Sequence, residues 1–374
     1  MPPMTIRSTS IRIKAKSEGT VDRDDSGALV SSDVTSPTRN PRRLGSAGPA
    51  VFPLALGCMG MSGMYGPTDE GESIATIHAA LDAGITLLDT GDFYGAGHNE
   101  LLVGRALRDR RDKALVSVKF GALRGPDGSW LGVDARPSAV KNFLTYSLTR
   151  LGLDHIDIYR PARLDPNVPI EETVGAIGDL VKAGWVRAIG LSEVGLETIR
   201  RAQAVHPISD LQIEYSLISR GPEAEIFPAL AKLDIGVTAY GVLSRGLLSG
   251  SIPSSRGDFR AYLPRFTGEN RERNQRLIET LQKLAAEKGI SASRLAVAWV
   301  LAKSTNIVPL IGARTRAQLA ESLGALDVQL SPAEIARIEE AVPASAVAGT
   351  RYDEHQMRIL DSERKTAPTG ITPA

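Results

Sequence analysis

The sequence predicts an α/β protein, a closed (β/α)8 barrel of the TIM type, formed as a single domain behind a disordered N-terminal tail. Three observations predict it. From about residue 50, short β-branched or apolar runs alternate with segments of helical period, the pattern of parallel strands joined by helices. The alternation recurs eight times, the number that closes a barrel. Polar residues gather just past the ends of many runs, at Asp89, Lys119, Tyr159, Ser192, Glu193, Gln212, Tyr240 and Arg314. In a barrel, all such ends open onto one mouth.

In order, the strand candidates are "PLALGCM", "ITLLD", "ALVSVKF", "HIDIY", "VRAIGLS", "LQIEYS", "IGVTAYG" and "NIVPLIG". Each is too short for a helix and is followed by a helix candidate. Among these are "NELLVGRALRDR", "PSAVKNFLTYSLTRLG", "IEETVGAIGDLVKAG" and "LETIRRAQAV". In the third, Val174, Ile177 and Val181 fall on one face, leaving Glu171, Glu172 and Lys182 to water. A doubly wound open sheet competes for the same alternation, but it should carry G-x-G-x-x-G at its first strand-to-helix turn. That turn reads "GCMGMSGMYG" and lacks the spacing.

A chain of 374 residues with 42% hydrophobic and 23% charged residues has ample material for a core. Lys+Arg 44 against Asp+Glu 43 gives no global electrostatic reason to expect nucleic acid or an anionic membrane as partner. Any anion site must be local. Cys58 is the sole cysteine, which excludes an internal disulfide and a cysteine zinc cluster and suits a reducing cytoplasm. In "LALGCMGMS" it reads as a small buried residue. No apolar run approaches the roughly eighteen residues of a membrane span, and no metal is expected. Residues 1–40 contain no aromatic residue and are dense in Ser, Thr, Arg and Asp, which predicts a disordered tail. A transit peptide is the rival, weakened by the acids of "EGTVDRDD". The barrel is assigned to 41–345 and a C-terminal extension to 346–374.

The stretch "LLDTGDFYGAG" sets Asp89 and Tyr94 beyond an apolar run, among glycines. A lone Tyr there is usually a packing residue. Tyr94 has company, since it follows the second strand and Lys119 ends the third, so barrel geometry makes them neighbours with Asp89 below. An ammonium beside a phenol lowers its pKa from about 10 toward working pH, and a carboxylate keeps that ammonium charged. Tyr94 is thereby a candidate proton donor. The plainer reading of Asp89 and Lys119 is an ion pair joining two strands.

"LLDTGDFYGAGHNELLVGRAL", "VSVKFG", "SLTRLGLDHIDIY", "VPIEETVGAIGDLVKAGWVRAIGLSE", "QIEYSLISR" and "GVTAYGVLSRGLLSG" closely resemble the aldo-keto reductases, from roughly Arg43 to Ala341. The resemblance implies a (β/α)8 barrel that binds NADPH across its mouth and reduces aldehydes or ketones. It makes Asp89, Tyr94 and Lys119 three of four catalytic residues, with Tyr94 the general acid. The fourth position, a His in the family, is Ala162 in "IDIYRPARLD", and His155 lies too early to replace it. Losing one preorganised donor costs about 3 kcal/mol, some hundredfold in rate, unless something substitutes. Arg160, Arg163, His98 or a water are the candidates.

By the same resemblance Ser192, Glu193 and Gln212 hold the nicotinamide carboxamide and Tyr240 stacks on its ring. The loop "GVLSRGLLSG", with Gly241, Leu243, Ser244 and Gly246, meets the pyrophosphate, although Gly241 and Val242 replace a commoner Ser-Pro pair. Gly312, Arg314, Gln318, Glu321 and Ser322 match the adenosine-phosphate segment. Arg314 and Arg316 at a helix start suit a 2′-phosphate, which favours NADP over NAD. The long connection before the last strand, "SIPSSRGDFRAYLPRFTGEN", reads as a lid or a binding loop, with Phe259, Tyr262, Arg265 and Phe266 bordering the pocket beside Met64, Tyr65 and Trp130. The expected activity is NADPH-dependent reduction of a small carbonyl compound. Because of Ala162, two alternatives stay open: an NADP-binding regulatory or redox-sensing barrel with weak catalysis, and a reductase with an altered substrate.

Overall fold

The structure, a computed structural model, describes residues 39–251, 253 and 258–364. Eight parallel strands close into a barrel in sequential order: β1 Ala55–Gly57, β2 Leu87–Gly91, β3 Leu115–Phe120, β4 Ile156–Pro161, β5 Val186–Ser192, β6 Ile208–Glu214, β7 Gly236–Tyr240 and β8 Ile307–Gly312. Every residue of β2, β4 and β6 is buried, as parallel strands are when helices cover one face and the barrel interior the other. Outside run α1 Glu70–Asp82, α2 His98–Leu107, α3 Pro137–Leu151, α4 Ile170–Lys182, α5 Leu196–Val205, α6 Ile226–Lys232, α7 Gly268–Glu287, α8 Ala292–Lys303, α9 Arg316–Leu323 and α10 Pro332–Ala341. The face anticipated in α4 forms, with Val174 and Ile177 fully buried, acids in the first turn and Lys182 in the last, complementing the helix dipole.

The barrel interior has two layers. The lower is apolar: Ala55, Leu87, Ile158, Ala188 and Val308 pack together with Leu44 and Val51 of a short hairpin that pairs Arg42–Arg43 with Ala50–Val51. The upper is charged. Arg160, fully buried on β4, donates from Nη1 and Nη2 to Asp210 of β6 at 2.8 and 3.1 Å and from Nη2 to Ser117 of β3 at 3.2 Å. Thr238 of β7 completes the layer, donating to Asp210 at 2.6 Å. Gly190 of β5 makes the room, since a Cβ there would lie 2.8 Å from the Arg160 guanidinium carbon.

Strand alternation corrects one expectation. Tyr159 points outward, stacks on Phe120 with centroids 4.2 Å apart, and donates its hydroxyl to Val140 O at 3.2 Å. It belongs to the layer between sheet and helices, whereas its neighbour Arg160 takes the inward position. Cys58 is fully buried, and burial pushes its thiol up to about 12. The expected tail, 1–40, lies outside the described residues except for its last two. The C-terminal extension, described to Arg364, folds back on the barrel. It carries α11 Glu354–Ile359 and then Asp361, which accepts from Gly195 N and Thr198 Oγ1, both at 2.7 Å, capping α5.

Candidate active site

β2 and β3 set the chemistry at the mouth, where Gly91 pairs with Lys119 across the sheet. Asp89 points inward and takes the Lys119 ammonium on Oδ1, while Oδ2 accepts from Ser117 Oγ at 2.9 Å and Gln212 Nε2 at 2.8 Å. Both members of this ion pair are buried. Just past β2 the chain turns tightly through Tyr94–Gly97 with Gly95, Ala96 and Gly97 in left-handed conformations, which explains the glycines of "YGAG". The turn leaves the Tyr94 ring with Phe93 edge-on at 4.7 Å and the Lys119 Nζ 5.0 Å from its centroid.

The phenol does not titrate as its neighbours in sequence suggest. Burial, reinforced by Asp89 and Tyr65, holds Tyr94 well above the ordinary phenol range, and Arg163 is the cation that opposes the shift. Lys119 is itself lowered by burial against the pull of Asp89. Its ammonium is paired with Asp89, whose own charge raises the phenol. The expected lowering is therefore reversed. The upward shift favours the neutral, protonated phenol, which is the form a proton donor needs.

A groove of about 430 Å³ passes these residues and crosses the mouth. Tyr94, Lys119 and Asp89 line it together with Ser192, Gln212, Tyr240, Gly241, Leu243, Gly246, Gly312, Arg314, Gln318, Glu321 and Ser322. Two residues of the expected set do not. Glu193 is fully buried and accepts from Arg351 Nη1 and Nη2 at 2.8 and 2.6 Å, with Ser362 Oγ at 2.6 Å. Burial works against that carboxylate, but Arg351 outweighs it and the group is held far below the usual range. Its side chain anchors the C-terminal segment and is not presented to the groove. Ser244 is buried beneath its loop, within 3.4 Å of Arg265 Nη1.

At the far end, α9 begins with Thr315 accepting from Gln318 N at 3.3 Å, while Gln318 Oε1 accepts from Arg314 N at 2.8 Å. That exchange fixes Arg314 against the groove, where its Nη1 donates to Tyr65 O at 3.1 Å. Arg316 is directed elsewhere: its backbone N–H and Nη2 both reach Glu72 at 2.9 Å on the surface. Only the first of the two expected arginines faces the groove.

Ala162 also lines the groove. Of the side chains proposed to compensate for it, Arg160 lies in the layer below and His98 bonds Ser62 at 2.9 Å and Glu70 at 2.6 Å outside the groove. Arg163 alone lines it, donating to Ala162 O at 2.6 Å and to Tyr352 Oη at 3.4 Å. Phe259, Met64, Tyr65 and Trp130 border the groove as expected. Tyr262 is 68% exposed and Phe266 is buried in the core. Arg265 turns instead to Ser219, 2.7 Å away. Sequence reasoning missed Tyr352, whose hydroxyl shares a 3.1 Å hydrogen bond with Tyr240. No motif marks it. Among the described residues, no cluster of three or more His, Cys, Asp or Glu side chains is placed to hold a metal, and no helix is long and apolar enough to cross a membrane.

A barrel whose mouth combines a buried phenol, an Asp–Lys pair and a long cleft is the framework of an oxidoreductase. The family model of the aldo/keto reductase family matches residues 53–343, and the chain belongs to that family. It is 42% identical over 328 residues to a probable aldo-keto reductase 1 of Glycine max, covering 85% of this chain and 93% of the relative. Among solved structures it is similar to the glycerol dehydrogenase of Gluconobacter oxydans, with TM-score 0.74 and 28% identity over 88% of this chain and 98% of the other. It is also similar to an aldo-keto reductase of Klebsiella pneumoniae solved with NADPH, with TM-score 0.66 and 25% identity over 84% and 99%.

Proposed function

We propose that this aldo/keto reductase uses NADPH to reduce an aldehyde or ketone to the alcohol, with Tyr94 delivering the proton. The observation that carries the reading is the Tyr94 phenol, buried beside the Asp89–Lys119 pair on the wall of the groove. The residues present fit the cofactor. Ser192 and Gln212 offer polar groups for a carboxamide, Tyr240 an aromatic face, and the loop from Gly241 to Gly246 a glycine-bearing wall. Arg314 offers a guanidinium that, among the described residues, has no carboxylate within 4.0 Å, which suits the extra phosphate of NADP. The Klebsiella pneumoniae relative was solved with NADPH. The Glu193 carboxylate is engaged by Arg351 and is not among the groove's lining groups.

When bound, the cofactor supplies a hydride to the carbonyl carbon. The protein's part is the proton. The carbonyl oxygen gains negative character as it is reduced, and Tyr94 is the acid in reach to protonate it. As the phenol gives up its proton, the Arg163 guanidinium opposes the new negative charge, while Lys119, 5.0 Å from the ring centroid and held by Asp89, flanks the ring. Gln212 ties the same Asp89 to β6, so the pair is braced from both sides of the barrel.

A panel of aldehydes and ketones assayed with NADPH and NADH in parallel tests this. Carbonyl-dependent oxidation of NADPH, faster than that of NADH, is expected. The alternative suggested by Ala162, a barrel that binds NADP as a signal, takes over if the protein binds NADPH tightly but oxidises it at the same background rate with and without the panel.

A further inference from the structure

Five arginines line the groove: Arg124, Arg163, Arg245, Arg260 and Arg314. Arg124 is exposed and lies over the Trp130 ring, 5.4 Å from its centroid; of the other four, two are neutralised by the protein. Arg245 meets Glu214 at 2.9 Å and Arg260 meets Asp258 at 2.5 Å. The other buried arginines of the mouth follow the same rule, Arg351 on Glu193 at 2.6 Å and Arg265 near Glu214 at 3.6 Å. A half-buried cation in a site of this kind ordinarily has a counter-charge, because leaving it without one is costly.

Arg163 departs from the rule. Among the described residues no carboxylate lies within 4.0 Å of it, and its two hydrogen bonds go to a carbonyl oxygen and, at a long 3.4 Å, to the Tyr352 hydroxyl. A guanidinium carries five N–H donors, and among the described residues two hydrogen bonds engage this one on the groove wall. It stands beside Ala162, where a small side chain leaves space, and near enough to Tyr94 to oppose the upward shift of the phenol. Arg314, also without a carboxylate, lies at the opposite end, where the cofactor phosphate is assigned. Arg163 is at the end where the carbonyl must sit.

We propose that Arg163 receives an anionic group of the substrate, so that the carbonyl compounds this site favours carry a carboxylate or a phosphate. The inference rests on the reductase reading of the same groove. A planar guanidinium accepts either oxyanion through paired N–H groups. Bound there, the anion supplies the direct ion pair that Arg163 lacks, since Glu193 favours its charge only from beyond 4.0 Å, and fixes the substrate by a contact remote from the reacting carbon. Such a contact orients the carbonyl without the absent histidine.

Two matched pairs of probes test it with NADPH: 4-carboxybenzaldehyde against methyl 4-formylbenzoate, and glyceraldehyde 3-phosphate against glyceraldehyde. A charge-assisted contact predicts that at least one anionic member exceeds its neutral partner about tenfold or more in kcat/KM, mainly through KM. The pair that responds says which anion is bound. Arg163→Met is expected to bring that ratio close to one, and Arg163→Lys to retain part of it. Ratios near one for both pairs in the native protein, or a ratio that survives in Arg163→Met, overturn the proposal while leaving the reductase reading standing. If none of the four probes is turned over, calorimetry with benzoate decides the subsite, and the wider carbonyl panel decides the reductase reading. Binding to the native protein that is lost in Arg163→Met upholds it, and no binding, or equal binding by both, overturns it.

Discussion

Arg160 and Arg163 leave the same strand end and meet opposite surroundings. Arg160 turns into the barrel, where Asp210 takes two of its N–H groups and Ser117 links it to Asp89. Arg163 turns into the groove, where the protein offers it a carbonyl and a distant hydroxyl. The barrel interior answers each charge from within, whereas the groove leaves chosen charges for something that arrives. Pairing thus separates a side chain that holds the fold from one that awaits a ligand, even at neighbouring positions.

The comparison breaks most readily at Arg160. Arg160→Met strands Asp210 in the barrel, and loss of about 3–5 kcal/mol of stability is expected in denaturant unfolding. Adding Asp210→Leu should restore much of it, because two apolar residues no longer leave a charge uncompensated. Asp92 tests the same logic with the opposite charge. It is buried, its Oδ1 has no hydrogen-bond partner among the described residues, and burial, with a smaller contribution from Glu100, raises it to about 7. A carboxylate raised on folding binds its proton more tightly in the native state, so its cost is absent below the unfolded pKa of about 4 and complete above about 7. Asp92→Asn should therefore raise the midpoint of thermal unfolding at pH 8, by as much as about 4 kcal/mol in stability, and change it little at pH 4.

The two arginines at the start of α9 sharpen the contrast within the groove. Arg314→Ala should raise KM for NADPH by roughly ten- to a hundredfold and affect NADH far less, since an unpaired guanidinium is the one available to a phosphate. Arg316→Ala should change either KM by less than about twofold, because its exposed pair with Glu72 is already made. Equal effects at the two positions would mean that pairing does not mark function here.

The barrel was legible because hydrophobic period survives in any context: all eight anticipated runs are strands of the closed sheet. Asp89, Tyr94 and Lys119 were legible for a related reason, since counting strands places the ends of β2 and β3 side by side. Tyr159 was misplaced because nearness to a strand end does not reveal which face a residue takes, and its successor proved to be the inward one. Glu193 was misjudged because its partner, Arg351, comes from a segment with no recognisable pattern far along the chain. The phenol's acidity failed differently. Proximity to Lys119 and its pairing with Asp89 were foreseen, but not that burial dominates. Such balances depend on three-dimensional enclosure, which spacing does not encode.

The most direct test of the central claim is single-turnover reduction of a carbonyl substrate by the NADPH-loaded protein, native against Tyr94→Phe, followed at the nicotinamide absorbance. Loss of the proton donor should slow the step by about 10²–10⁴-fold with cofactor binding retained. An unchanged rate in Tyr94→Phe would show that the buried phenol beside Asp89 and Lys119 is not the acid of this enzyme.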